Sequence, residues 1–336
     1  DFGTNGAGIP AVSGGWKEIG RTTLGSTTST IDVASLADKR YLMLLNDIRP
    51  SGAVDGMMRL NNDSGSNYAC RFSNNGGSDG NDTSASLMYN AETPSDTNPM
   101  FAVSYIANLS NKEKLHLSHS IAQKTAGAGT APNRGEYACK WANTSDAVDR
   151  ITTLPSTGNN YASGSELVVL GWDESDTHTT NFWEELASVE GDGSGGFSSG
   201  TITAKKYLWV QAWCEPSASG VIQIRFNSDS GNNYARRANN NGLTDGVSVN
   251  LGYIQIGATE STPQFFNIFI INNSANEKLV ICNAVTQMST GAGNAPERRE
   301  TVGKWANTSS HITDIEILPS TGNLSASAIM KVWGSN

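Results

Sequence analysis

Arg59-Leu-Asn-Asn-Asp-Ser-Gly-Ser-Asn-Tyr-Ala-Cys-Arg71 returns later in the chain as Arg225-Phe-Asn-Ser-Asp-Ser-Gly-Asn-Asn-Tyr-Ala-Arg-Arg237, identical at nine of thirteen positions. Chance does not supply that match, and further matches follow in the same order. Lys39-Arg40-Tyr41-Leu42 answers to Lys205-Lys206-Tyr207-Leu208, and the Glu-Lys-Leu of 113–115 to that of 277–279. Gly127-Ala-Gly-Thr-Ala-Pro-Asn-Arg134 returns as Gly291-Ala-Gly-Asn-Ala-Pro-Glu-Arg298. Lys140 to Ser145 returns unchanged as Lys304 to Ser309, and Leu154 to Asn159 as Leu318 to Asn323. A period this long and this regular is a duplicated domain. It bounds two modules, 16–173 and 183–336, joined by a short polar linker at 174–182. The linker is short enough to keep the modules side by side. The Gly- and Ala-rich stretch 1–15 reads as an extended N-terminal arm.

Composition selects the fold class. Of 336 residues, 35 are Gly and only 16% are charged, which suits short strands and tight turns rather than helical bundles. Hydrophobic residues make up 37%, enough for strands that bury one face. Apolar or alternating runs of strand length recur at matching places: Tyr41 to Leu45, Met100 to Ile106, Leu115 to Ile121 and Leu167 to Leu170. Their counterparts are Tyr207 to Ala212, Phe265 to Ile271, Leu279 to Val285 and Ile329 to Trp333. The Asn-Asp-Ser-Gly stretch lies between strand-like Gly56 to Leu60 and Asn67 to Arg71, the pattern of a β-hairpin. The expected fold is all-β: two tandem homologous antiparallel β-sandwich domains, jelly-roll-like, with eight to ten strands each.

A net charge of −9 without a Lys/Arg block excludes a nucleic-acid partner, because phosphate neutralisation needs a basic face. The longest apolar run, Phe265 to Ile271, is too short to insert in a membrane. The chain begins at Asp1 rather than Met, so processing or trimming is expected. Cys70, Cys139, Cys214 and Cys282 include no Cys-x-x-Cys pair. A disulfide within each half is open to them, but their places differ between the copies, and a bond essential to the fold should have been duplicated with it. Free, buried cysteines are the expectation.

Duplicated polar and aromatic residues are the candidate ligand or contact residues. Asp63 and Asp229 sit in the Asn-rich turns, as calcium ligands or as caps of the turn backbone; one carboxylate per turn favours the caps. Trp141 and Trp305 could stack sugars or pack between sheets, and the area a Trp buries favours packing. Arg134 beside Glu136, and Arg298 beside Glu300, read as local or inter-subunit salt bridges. His116 and His119, three apart on a strand, point to opposite faces, and Val280 and Asn283 replace them in the second copy. No catalytic, cofactor or metal site assembles from duplicated residues, and the chain reads as non-enzymatic.

The repeated segments, together with the strand ending Val332-Trp333-Gly334, resemble virion structural proteins of marine tailed bacteriophages, which are tandem and rich in Gly and Asn. The resemblance covers nearly all the chain after Gly15. It implies a structural role on the particle surface, as a capsid decoration or cement protein or a tail-associated component. Its partners would be capsid or tail proteins, or further copies of the chain, a trimer among them. The alternative is a secreted or surface carbohydrate-binding tandem module meeting a host-surface glycan.

Overall fold

The computed structural model describes residues 15–91 and 97–336. Apart from Gly15, the expected arm lies outside the described residues. All regular structure among them is β, in twenty-four strands. The first copy contributes β1 (Lys17–Thr23), β2 (Ile31–Ala34), β3 (Tyr41–Ile48), β4 (Gly56–Leu60), β5 (Tyr68–Asn74), β6 (Gly80–Ala85), β7 (Met88–Ala91), β8 (Met100–Ala107), β9 (Lys114–Ala122), β10 (Asn133–Trp141), β11 (Arg150–Pro155) and β12 (Glu166–Trp172). The second repeats the series as β13 (Glu184–Glu190), β14 (Phe197–Ser198), β15 (Tyr207–Cys214), β16 (Gly220–Phe226), β17 (Tyr234–Asn240), β18 (Gly246–Leu251), β19 (Ile254–Glu260), β20 (Gln264–Ile271), β21 (Lys278–Thr286), β22 (Glu297–Trp305), β23 (Ile315–Pro319) and β24 (Ile329–Ser335).

Each copy is a sandwich of an eight-stranded and a four-stranded antiparallel sheet. The orders are β1-β12-β3-β8-β9-β10-β5-β6 over β2-β11-β4-β7, and the second copy repeats them. The quartets β1-β12-β3-β8 and β2-β11-β4-β7 are the two sheets of a jelly roll. The hairpins β9–β10 and β5–β6 extend the first quartet to eight. Twelve strands per copy exceed the expected eight to ten because edge strands such as β6, Gly-Asn-Asp-Thr-Ser-Ala, carry no apolar alternation.

The Asn-rich repeat is not the turn of a hairpin. β4 belongs to the small sheet and β5 to the large one, so the segment arches from one layer to the other. Asn61 and Asn62 turn the chain with positive φ, which Asn tolerates better than most residues. Tyr68 then ties the arch: its Oη accepts the Leu60 N–H at 3.0 Å and lies 3.1 Å from the Asp63 carbonyl. Asn227, Ser228 and Tyr234 repeat the device.

Each sandwich encloses its own apolar core, and a third apolar cluster lies between them. Strand β3 shows why. Leu42 and Leu44 face the core of the first unit, while Met43 and Leu45 face the second unit. The strand is therefore apolar on both faces, and its sequence runs Tyr-Leu-Met-Leu-Leu rather than alternating. Phe101, Ile121, Val168 and Leu170 join Met43 and Leu45 against Tyr207, Phe269, Ile271, Leu279 and Ile281 of the other large sheet. The modules thus pack large sheet to large sheet.

The contact is close to twofold. His119 Nδ1 lies 2.9 Å from Oδ1 of Asn283, its own counterpart. Glu136 and its counterpart Glu300 likewise share a hydrogen bond. Only at a twofold axis do equivalent positions meet one another.

The cysteines differ from expectation. Cys70 and Cys139, directly opposite on β5 and β10, form a disulfide, while Cys214 and Cys282 are free and buried. The expectation failed because it weighed duplication and not register: the strand pairing alone sets Cys70 across from Cys139. In the second copy Arg236 and Gly303 face one another at that place.

Candidate functional site

The duplicated candidates resolve into structural anchors. Asp63 accepts the Gly65 N–H at 2.8 Å, the Asn67 side-chain amide at 2.8 Å and the indole N–H of Trp141 at 2.6 Å. Asp229 does the same with Gly231, Asn233 and Trp305. Burial alone would push both carboxyls up, but these hydrogen bonds outweigh it and hold them below the usual carboxylate range. All the donors are the protein's own, which is turn capping rather than calcium ligation. Trp141 and Trp305 are almost wholly buried, so neither offers a face to a ligand. Lys114 and Lys278 lie 5.5 Å from their ring centroids and donate to the carbonyls of Asn143 and Asn307. The repeated Trp pins the arch to the end of β10 or β22.

Arg134 and Arg298 have diverged in role. Arg134 is buried in the contact between units, 2.8 Å from Glu136, 2.9 Å from Asp245 and 3.3 Å from Glu300. It pairs within its own strand, with Glu136, and across the two modules, with Asp245 and Glu300. Arg298 pairs with Glu300 at 3.1 Å but keeps 61% of its side chain exposed. His116 is buried, and burial depresses it to about 3, so it is neutral at ordinary pH. His119, on the other face of β9, meets Asn283.

The near-twofold contact is therefore closed on one side and open on the other. On the closed side Lys304 pairs with Glu277 and donates to the carbonyls of Gln123 and Thr125. Lys206 pairs with Asp47 at 3.1 Å and Glu166 at 2.9 Å, and the Tyr207 hydroxyl donates to Glu166 at 2.7 Å. On the open side the matching residues face solvent. Leu115 and Leu117 are 58% and 62% exposed, where their counterparts Leu279 and Ile281 are at 0% and 2%. Tyr41 and Tyr105 are exposed where Tyr207 and Phe269 are buried, and Phe265 and Val285 where Phe101 and Ile121 are buried. Part of this open side is a cleft of about 410 Å³ whose walls include Arg71, Asp79, Tyr105 and Leu117 from one unit and Asn283, Arg298 and Glu300 from the other.

A larger cleft, of about 930 Å³, lies where the modules join. Five of the chain's eight tryptophans line it: Trp16, Trp172, Trp183, Trp209 and Trp333. The topology places them there. β1 pairs with β12, bringing Trp16 beside Trp172, and β13 pairs with β24, setting Glu185 opposite Trp333. Residues 173–182 connect these pairs, and the Phe182 N–H donates to the Trp16 carbonyl at 2.7 Å. Trp209 packs 4.9 Å from Trp333 and 5.7 Å from Trp183 between ring centroids. Trp16, Trp172, Trp209 and Trp333 are half-buried, so their faces are partly open to the cleft. Trp183 is buried, and its indole N–H meets no acceptor among the described residues.

Polar groups rim these rings. Asn181 and Gln211 supply amides; Asp173, Glu174, Asp176 and Glu185 supply carboxylates. Most are already matched: Asp176 with Lys39, Glu174 with Arg40 at 2.5 Å, and Glu185 with Lys331 at 3.2 Å. Asp173 accepts the Ser175 N–H at 3.1 Å, which holds its carboxyl below the usual range. The module bounds read from the sequence, 16–173 and 183–336, fall at or beside Trp16, Trp172 and Trp183, but the sequence reading did not see that these ends meet at a junction. That was the available signal.

No protein-family model matches the chain, and no curated protein matches it. Among solved structures it is similar to the LG4-5 domains of the mouse laminin alpha1 chain, at 10% identity over 96% of this chain and 92% of that one, with a TM-score of 0.20.

Proposed function

We propose that the chain is a non-enzymatic structural component of a larger particle, of the virion type, acting through protein–protein contacts as a decoration, cement or tail-associated subunit. One observation carries the reading: the exposed apolar side chains on the open side are counterparts of side chains that the same chain buries in a protein–protein contact. Tyr41, Tyr105, Leu115 and Leu117 on one sheet, and Phe265 and Val285 on the other, have the composition of a sheet-packing surface left without a partner. Contiguous exposed apolar surface of this kind marks interaction sites. The large buried contact supports the same reading, since it makes the two modules one stiff body suited to bridging neighbours.

The test is to purify particles from the source and quantify the chain against the principal shell protein. A stoichiometry near one to one supports a capsid decoration role, and a few copies per particle a tail-associated one. Absence from intact particles refutes the proposal. Leu115→Lys with Leu117→Lys should abolish incorporation without lowering the melting temperature.

A further inference from the structure

We infer that the tryptophan-lined cleft at the module junction is a binding site for a neutral oligosaccharide. The inference does not depend on the particle role, although the cleft adjoins the surface invoked there: Tyr41 stacks on Trp172 and Tyr105 lies against Trp16. A pyranose ring has faces rich in C–H groups and a rim of hydroxyls. A receptor for it needs flat apolar surfaces interleaved with hydrogen-bonding groups at their edges. Trp172 and Trp333 supply such surfaces on opposite sides of the junction, one from each module. Trp209 continues the wall beneath Trp333. Indole faces bury large area on a rigid frame, which keeps the ordering cost of binding low.

Two features narrow the ligand class. The cleft is open and polar-rimmed, with Asn181 and Gln211 among its edge groups, so it does not suit a wholly apolar guest. The carboxylates of Glu174, Asp176 and Glu185 are matched by Arg40, Lys39 and Lys331, and Asp173 leaves the rim one negative charge in excess, which disfavours an acidic sugar. The volume, about 930 Å³, lies near the top of the range for small-ligand sites, about 300–1,000 Å³, and accommodates more than one sugar ring.

The test uses the full chain on a glycan array, followed by titration of the best neutral oligosaccharide with intrinsic tryptophan fluorescence and calorimetry as readouts. Five of eight tryptophans line the site, so saturable binding should shift the emission. Trp333→Ala and Trp172→Ala should each weaken binding at least tenfold, and Trp333→Phe should recover part of it. Leu117→Lys, on the other open surface, should leave it unchanged. Near-ultraviolet circular dichroism identifies any variant that fails to fold, and in that case Gln211→Ala, at the rim, replaces it. Absence of neutral-glycan binding overturns the inference, as does binding indifferent to both Trp172→Ala and Trp333→Ala. Binding confined to quaternary ammonium compounds or to anionic sugars overturns the assigned ligand class. None of these outcomes bears on incorporation into particles, so this inference and the particle role fail separately.

Discussion

Replacing Glu300 with Gln should make the protein more stable at neutral and alkaline pH, relative to the wild type, than it is at pH 5. Glu300 lies in the contact between modules, where burial and the adjoining Glu136 push its carboxyl up to about 7 from its usual 4.5. Glu136, held down by its charged neighbours, carries the negative charge of the pair. Between pH 4.5 and 7 the folded protein keeps a proton that the unfolded chain releases. The contribution of Glu300 is therefore intact below pH 4.5 and is lost as pH rises through about 7. At ~1.4 kcal/mol per pH unit this span bounds the loss at ~3.5 kcal/mol. Relaxation of a partly wet site brings the expected effect nearer ~2 kcal/mol. Glu136 acts in the opposite sense but below pH 4.5, outside this window. Glutamine keeps a donor for Glu136 and removes the proton. Urea unfolding at intervals from pH 5 to 8 should show the stability of Glu300→Gln rising by ~2 kcal/mol relative to the wild type, the buried His116 and His119 contributing equally to both. Parallel profiles for the two proteins would refute the reasoning.

The equivalent arginines should respond unequally. Arg134→Ala strands Asp245 and the Glu pair in a buried site and should cost ~3–5 kcal/mol, whereas Arg298→Ala should cost under ~1 kcal/mol by thermal melting. Cys70→Ala with Cys139→Ala should leave the far-ultraviolet spectrum unchanged, since the second copy builds the same strand pair without a bridge, while stability falls by ~2–4 kcal/mol. Burial pushes the thiols of Cys214 and Cys282 up to about 12, so a thiol reagent at pH 8 should label neither until denaturant is added. Rapid labelling of the native protein would contradict their placement.

Much of the fold was legible because duplication presents each signal twice. The apolar runs at β3, β8, β9 and β12, and their four counterparts, fall where expected, each extended by a residue or more at one or both ends. The failures have physical causes. A turn-rich Asn-Asp-Ser-Gly segment signals that the chain reverses, but not whether the strands it joins share a sheet, so an arch was read as a hairpin. Periodicity does not give cross-strand register, so the Cys70–Cys139 bond was invisible. Repetition also misleads about function. Asp63, Trp141, Asp229 and Trp305 recur because both copies need the same internal brace. The cleft tryptophans escaped notice because the site forms once, where two copies adjoin. The double-sided apolar character of β3 and β20 hinted at a covered outer face and could have been read as such.

The meeting of His119 with Asn283, and of Glu136 with Glu300, has a consequence for how this chain could arise. A gene encoding a single copy could build a similar object as a symmetric homodimer. There, every substitution at the axis is made twice, and a bulky or charged change confronts itself. Joining the copies end to end removes that constraint. One partner can keep an imidazole while the other takes an amide, and one strand pair can gain a covalent bridge that its twin lacks. Fusion thus lets the two faces specialise, one sealing the seam and the other left for outside company.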